Sequence, residues 1–255
     1  MSLADDVLSS APGTVTEYAG VALPAGYLWA NGAAASRTTY ARLFNAIVSQ
    51  VTGVVTSGNA SITSVSQDLT LLPTSLVGAP VSGPGIPAGA TIASIASNVI
   101  TLSGAATSSV SGAAIVIAPH GVGDGSTTFN VPDRRGRAGV GHDKMGAGTA
   151  AGRLTSGGGG VNGALLGNAA GIETQTLTVA QMPAHSHTDS GHAHASGAAS
   201  NQGGNASGYP NSGADIWHAG AGGTSTATAN LQNTGGGGAH PNVQPSIVMN
   251  YIIKT

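Results

Sequence analysis

Leu23-Pro-Ala-Gly-Tyr-Leu-Trp-Ala-Asn-Gly32, followed closely by Ser36-Arg-Thr-Thr-Tyr-Ala-Arg-Leu-Phe-Asn-Ala-Ile47, sets a strand and a helix side by side. Pro24, Gly26 and Gly32 punctuate the first piece as turns around a short strand holding Tyr27 and Trp29. In the second, Tyr40, Leu43, Phe44 and Ile47 fall at i, i+3, i+4 and i+7. That stripe predicts an amphipathic helix, with Ser36 as its N-cap. Phe44 is one of two phenylalanines in the chain, so the helix is expected to plug the core of its domain. Just upstream, Thr14-Val-Thr-Glu-Tyr-Ala-Gly-Val-Ala22 reads as a strand.

Downstream, residues 51–119 are built from Val, Ile, Thr, Ser, Ala and Gly, with Asp68 the only charge. Candidate strands are Ala60–Val65, Ser75–Val81, Thr91–Ile95, Val99–Leu102 and Ala113–Ala118, separated by breakers such as Gly83-Pro-Gly and Pro87-Ala-Gly. Short strands at this spacing predict a small β-sandwich or barrel. A stretch this uncharged must pack against itself or neighbouring subunits, because bare strand edges stick.

The remainder opens with Gly123-Asp-Gly-Ser-Thr-Thr-Phe-Asn-Val-Pro-Asp-Arg-Arg-Gly-Arg137 and turns glycine-rich. It passes through a histidine cluster and a low-complexity tract, Gly197 to Gly238, and ends in an apolar strand, Ser246 to Lys254. Charged residues make up 7% of the 255 residues, against about 25% in an ordinary domain. Hydrophobic residues make up 40% and glycine numbers 41. Disordered chains are usually poor in hydrophobics and rich in charge. This composition instead suits ordered backbones in close approach, as in fibrous or intertwined assemblies; a flexible Gly/Ser linker over part of the chain is the alternative. Without cysteine there are no disulfides or thiolate metal sites, which suits assembly in a reducing cytoplasm. No secretory signal is read in Met1 to Gly13, and no run reaches the roughly 18 apolar residues of a membrane span. The net charge of −2 carries no information on nucleic acid, and no such partner is expected.

Four blocks together resemble the phage tail-collar domain and collar-type tail proteins. They are Pro24–Gly32 with Ser36–Ile47, Gly123–Arg137, Met182-Pro-Ala-His-Ser-His187, and the ending Pro245-Ser-Ile-Val-Met-Asn-Tyr-Ile-Ile-Lys254. The sequence departs from the family in one place, where residues 51–119 replace a short link and read as an inserted β-domain. The resemblance implies a mainly β, intertwined fibrous homotrimer. Its parts would be an N-terminal segment (1–13), a discontinuous tail-collar domain with one short helix (14–50 and 120–150) and the insertion (51–119). A glycine/histidine-rich metal-binding and tip region (151–245) and a C-terminal strand (246–255) would complete it. The implied function is that of a tail fibre on the virion, assembled in the host cytoplasm. It would dock to a phage tail or baseplate protein and bind host lipopolysaccharide, another glycan or an outer-membrane protein, without catalysis or membrane insertion.

The sharpest local motif is Ala184-His-Ser-His-Thr-Asp-Ser-Gly-His-Ala-His-Ala195, with two His-X-His pairs, His185/His187 and His192/His194. In an extended strand, residues two apart share a face. Each pair then presents two imidazoles, a weak site alone but six nitrogens if three chains wrap one axis. Such a site suits a transition metal, Fe(II), Ni(II) or Zn(II), more than Mg(II) or Ca(II). Similar sites in the short tail fibres and long-fibre tips of T-even-type phages imply Fe(II) or Zn(II) here. The alternative is four solvent-exposed histidines in a Gly/Ser loop. His120 and His142 are expected to make hydrogen bonds; His218 and His240 lie in or beside the low-complexity tract.

Catalytic patterns are sparse, and the chain is not expected to be an enzyme. A zinc hydrolase needs three ligands, an open position and a base such as Asp189, but no His-Glu-X-X-His is present. Gly-X-Ser-X-Gly is absent, and neither Gly157–Gly160 nor Gly235–Gly238 continues into Lys-Ser or Lys-Thr. Asp133-Arg134-Arg135-Gly-Arg137 sets one carboxylate among three guanidinium groups. It reads as an ion-pair cluster or as forks for phosphate or carboxylate on lipopolysaccharide. Tyr209 and Trp217, with Asn211 among the surrounding Asn and Ser, could stack on and hydrogen-bond a sugar; burial at a trimer interface is the alternative. The competing functions are a structural collar or connector that binds no receptor, and a metal-dependent polysaccharide depolymerase.

Overall fold

The computed structural model describes residues 10–66, 76–96, 98–143, 145, 149–155, 160–184 and 237–255. It is mainly β, with one α-helix among the described residues. In chain order the strands are β1 (Val15–Tyr18), β2 (Tyr27–Trp29), β3 (Ala34–Ser36), β4 (Ser49–Val55), β5 (Ser61–Thr63), β6 (Val81–Ser82) and β7 (Ile92–Ala96). There follow β8 (Val99–Leu102), β9 (Val110–Ile117), β10 (Thr128–Asn130), β11 (Thr174–Gln175), β12 (His240–Pro241) and β13 (Asn250–Lys254). The helix, α1, spans Ala41–Ile47. Two compact units divide the chain: Met1–Glu173 with Val243–Thr255, and Thr174–Asn242.

In the first unit the C-terminal strand β13 lies between β1 and β2, antiparallel to both, with Tyr251 opposite Glu17 and Ile252 opposite Trp29. β3 pairs with β10, and Asn31 bridges to Asp133. Leu43 and Phe44, the inward face of α1, bury against Phe129, Val131 and Ile253. The helix starts at Ala41, not near Ser36. Ser36 is bound into β3 opposite Thr128 and instead caps the intervening turn, where its Oγ accepts the Thr39 N–H at 3.2 Å. Val48 at the helix C-terminus is extended and leads straight into β4.

β4, like the short β3, β10, β11 and β12, was not predicted from the sequence. It runs between β5 and β9 in a six-stranded sheet of order β6-β9-β4-β5-β8-β7. Val51, Gly53 and Val55 face inward, the period of two a half-buried strand requires. The two ends of this sheet meet. Pro80 bridges Thr91, the Val81 N–H donates to Ala90 O at 3.0 Å, and the Ile92 N–H donates to Ala79 O at 3.0 Å. This contact brings the two ends of the sheet together around a core of Val55, Ile62, Val81, Ile92, Ile100 and Ile115. The strand expected over Ser75–Val81 is only Val81–Ser82, because Gly78 and Pro80 bend the chain across to Thr91 and Ile92; Ser75 lies outside the described residues.

β9 joins the two cores. Ile115 and Ile117 point into the closed sheet, while Val116 and the following Ala118 pack with Leu43, Phe44 and Phe129. The strand expected from Ser246 begins only at Asn250, and Ile247 and Val248 before it are exposed. In the second unit, β11 pairs with β12. A single 3-10 turn at Val179–Gln181 is fastened by Gln181 Oε1, which accepts the Thr178 N–H at 2.8 Å.

Candidate functional site

His185, His187, His192 and His194, and the tip candidates Tyr209, Asn211 and Trp217, all lie outside the described residues. So does His218. Among the described residues there is no group of three or more His, Cys, Asp or Glu side chains able to hold a metal. Of the remaining histidines, His142 Nε2 lies 3.1 Å from Ala164 O. His120 is half-buried beside Pro119 and Leu166, and burial lowers its pKa. His240 is exposed on β12.

The geometry gathers instead around the block from Gly123 to Arg137. Asp124 folds a tight turn onto itself. Its Oδ1 accepts backbone N–H groups from Ser126, Thr127 and Thr128 at 2.7 to 2.9 Å, and Oδ2 accepts the Thr127 hydroxyl. The hydroxyl first, and then the three amides, hold this carboxyl well below the usual carboxylate range. Arg37 clasps the same turn, donating from Nε to Thr128 O at 2.9 Å and from Nη2 to Val122 O at 3.3 Å. Burial lowers the Arg37 pKa, and the nearby Asp124 charge partly offsets that.

Asp133 is saturated by its own neighbours. Arg135 Nε and Nη2 donate to its two oxygens at 2.9 and 3.0 Å, and Arg137 Nη1 stands 3.0 Å from Oδ2. The Arg135 fork holds this carboxyl far below its ordinary value. Two of the three guanidinium groups are therefore spent within the segment.

Arg134 is different. Its backbone N–H donates to Ala30 O at 2.8 Å, fixing the segment to the end of β2. Its guanidinium lies 4.5 Å from the ring centroid of Tyr251 on β13. The Tyr251 hydroxyl donates to Glu17 Oε1 on β1 at 2.8 Å, so the ring is held in turn. Arg134 Nε is buried without a hydrogen-bond acceptor.

A second feature is a groove of about 240 Å³ beside β2 and β3, lined by Leu23, Leu28, Trp29, Asn31, Ser36 and Tyr40, among others. The sequence placed Trp29 in its strand but put Tyr40 in the helix, where it is the N-cap residue just before Ala41, and it had no means of joining the two along a groove. Nor could it single out Arg134, because Tyr251 lies far along the chain. The only signal was the excess of arginine over aspartate.

The described residues thus define a mainly β protein in which a small closed sheet interrupts a second module. Comparison with protein families, with curated proteins and with solved structures finds no match to this chain.

Proposed function

We propose that this chain is the receptor-binding part of a bacteriophage tail fibre. In this reading it is a homotrimer that attaches the virion to a host-surface glycan, such as lipopolysaccharide, or to an outer-membrane protein, without catalysis. The observation that carries the reading is the meeting of three of the four collar-like blocks, remote in sequence, in one module. Tyr27–Trp29 pairs with β13, Ala34–Ser36 pairs with Thr128–Asn130, and Arg134 covers Tyr251. The order and content of those blocks resemble those of collar-type proteins, and their packing together is what a discontinuous collar domain would require.

Assembly has separate support. Val21, Ile247 and Val248 are almost fully exposed, at 95%, 83% and 97%. Ile247 and Val248 are adjacent in sequence, and such exposed apolar side chains are available to be covered by another chain. His185, His187, His192 and His194 would hold Fe(II) or Zn(II) by their donor chemistry. A metal bound there would cross-link chains where large apolar side chains are few. The N-terminal end would dock to a tail or baseplate protein of the virion.

The test is binding of the labelled, full-length protein to a panel of bacterial strains, with its mass in solution taken on the same sample. A trimer that binds some strains and blocks phage adsorption to them supports the reading. A trimer that binds no strain and blocks nothing favours a structural connector, which would also cover Val21 and Val248. Release of reducing sugar ends from surface polysaccharide would favour a depolymerase.

A further inference from the structure

We propose that Arg134 is an anion-binding residue that takes an oxyanion, phosphate or carboxylate, carried by a host-surface glycan. The inference rests on the receptor-binding reading above and names the ligand chemistry that reading leaves open.

The argument begins with charge. The chain has 8 basic residues in all, and three of them lie at positions 134, 135 and 137. Three arginines against the single Asp133 leave +2 on this short segment, although the whole chain carries −2. Asp133 is then taken by Arg135 through a two-point fork and by Arg137 beside it. Of the +2, one charge is left on the Arg135 and Arg137 pair that shares Asp133, and the other is Arg134, which faces no carboxylate among the described residues. No hydrogen bond or ion pair holds its side chain among the described residues, and of its donor atoms only Nε is shut away from solvent.

A guanidinium carries five N–H donors and stays charged at every relevant pH. Nε alone is buried without a partner, at a cost in free energy, while the Nη donors are not buried and stay open to an oxyanion. The contact with Tyr251 uses the cation's charge and not its N–H groups, so the donors remain available. The group is also positioned in advance. Tyr251 is anchored through its hydroxyl to Glu17, and the backbone at Gly139 passes so close that a Cβ there would lie 2.6 Å from Arg134 Nη1. A cation fixed before its ligand arrives loses little conformational freedom on binding. Bidentate recognition of a phosphate or carboxylate is the task for which an arginine fork is suited and a lysine is not.

The test uses the full-length protein at low salt. Titrations with glucose 1-phosphate and galacturonate distinguish the two sources of the oxyanion, and glucose and galactose serve as neutral controls. Binding of one or both acids, weakened about tenfold or more in Arg134→Gln, is expected. Arg135→Gln is expected to bind as the parent does, because Arg135 already serves Asp133. Unchanged binding in Arg134→Gln overturns the proposal. Equal losses in Arg134→Gln and Arg135→Gln also overturn it, by showing a diffuse basic patch. A change in the mass of the assembly with no change in acid binding overturns it too, since a carboxylate of a second copy would then occupy the site. Should the Gln variant not fold, the same comparison is read on Arg134→Lys, which keeps a charge near Tyr251 but loses the fork. Cell binding separates the two levels: a parent that binds cells equally well as Arg134→Gln sinks this inference alone, and a parent that binds the acids but no cells sinks the receptor reading.

Discussion

The ring of Phe44 on α1 lies 5.3 Å from the ring of Phe129 on β10, tilted by 51°, and these are the only two phenylalanines in the chain. One arrives from the helix and the other from a strand entered after the closed sheet has been completed. Their contact ties the sequence before the insertion to the sequence after it. Leu43, Val131 and Ile253 pack around them.

Phe129→Ala is therefore expected to destabilise the protein by about 3–5 kcal/mol, the usual cost of emptying a buried aromatic site. Phe129 is fully buried. Denaturant unfolding measures the change. A loss below about 1 kcal/mol would show that the two halves are held together elsewhere.

A second prediction concerns Gly53 on the central strand of the closed sheet. A Cβ at this position would lie 2.6 Å from Ile62 Cγ2 and 3.2 Å from Thr63 O. Ile62 is fully buried and branched at Cβ, so it has no flexible end to swing away. Gly53→Ala should cost about 1–3 kcal/mol by overpacking. A melting temperature equal to that of the parent would mean that β4 and β5 part more easily than their pairing implies.

The same glycine explains part of what the sequence concealed. Val51, Gly53 and Val55 alternate inward, but a glycine in the middle of that pattern carries no hydrophobic mark, and β4 was passed over. The helix was legible because Leu43 and Phe44 are large and correctly spaced. Its start was not, because Ser36 serves a turn cap and a strand pair at once. The closure of the six-stranded sheet depends on Pro80 meeting Thr91, a long-range fact with no local pattern. At the candidate site, the pairing of Asp133 with Arg135 and Arg137 follows from adjacency. The contact between Arg134 and Tyr251 requires β13 to return beside β2, and nothing near Arg134 in the sequence announces it.

Acid titration of the Asp124 turn gives a third prediction. The Thr127 hydroxyl and three amides lower this carboxyl below its unfolded value. A carboxyl whose folded pKa is depressed contributes stability above the unfolded pKa, near 4, and loses it as pH falls from there towards the folded value. At neutral pH, Asp124→Asn should melt below the parent, since Asn accepts fewer hydrogen bonds and carries no charge. As pH falls below about 4 the parent should approach the variant. Parallel melting curves across that range would remove the ionised carboxylate from any role in holding the turn.

Chelation and acidification test the histidine pairs. Imidazole binds metal only when neutral, and its free pKa is about 6.5. Metal held by His185, His187, His192 and His194 should therefore be present at pH 7–8 and leave progressively as pH falls towards about 5. Elemental analysis of tag-free protein is expected to find a transition metal at pH 7.5, lost on treatment with a chelator. Metal removal should lower the melting temperature of the assembly and shift its mass towards smaller species, because binding there contributes to folding. Replacing all four histidines by alanine should reproduce the chelated state and make melting insensitive to chelator. A trimer that is metal-free as purified, and whose melting is indifferent to the four substitutions, would reduce these residues to loop positions. A metal-bound monomer would do more: it would break the argument from three chains around one axis and return the enzymatic alternative to consideration.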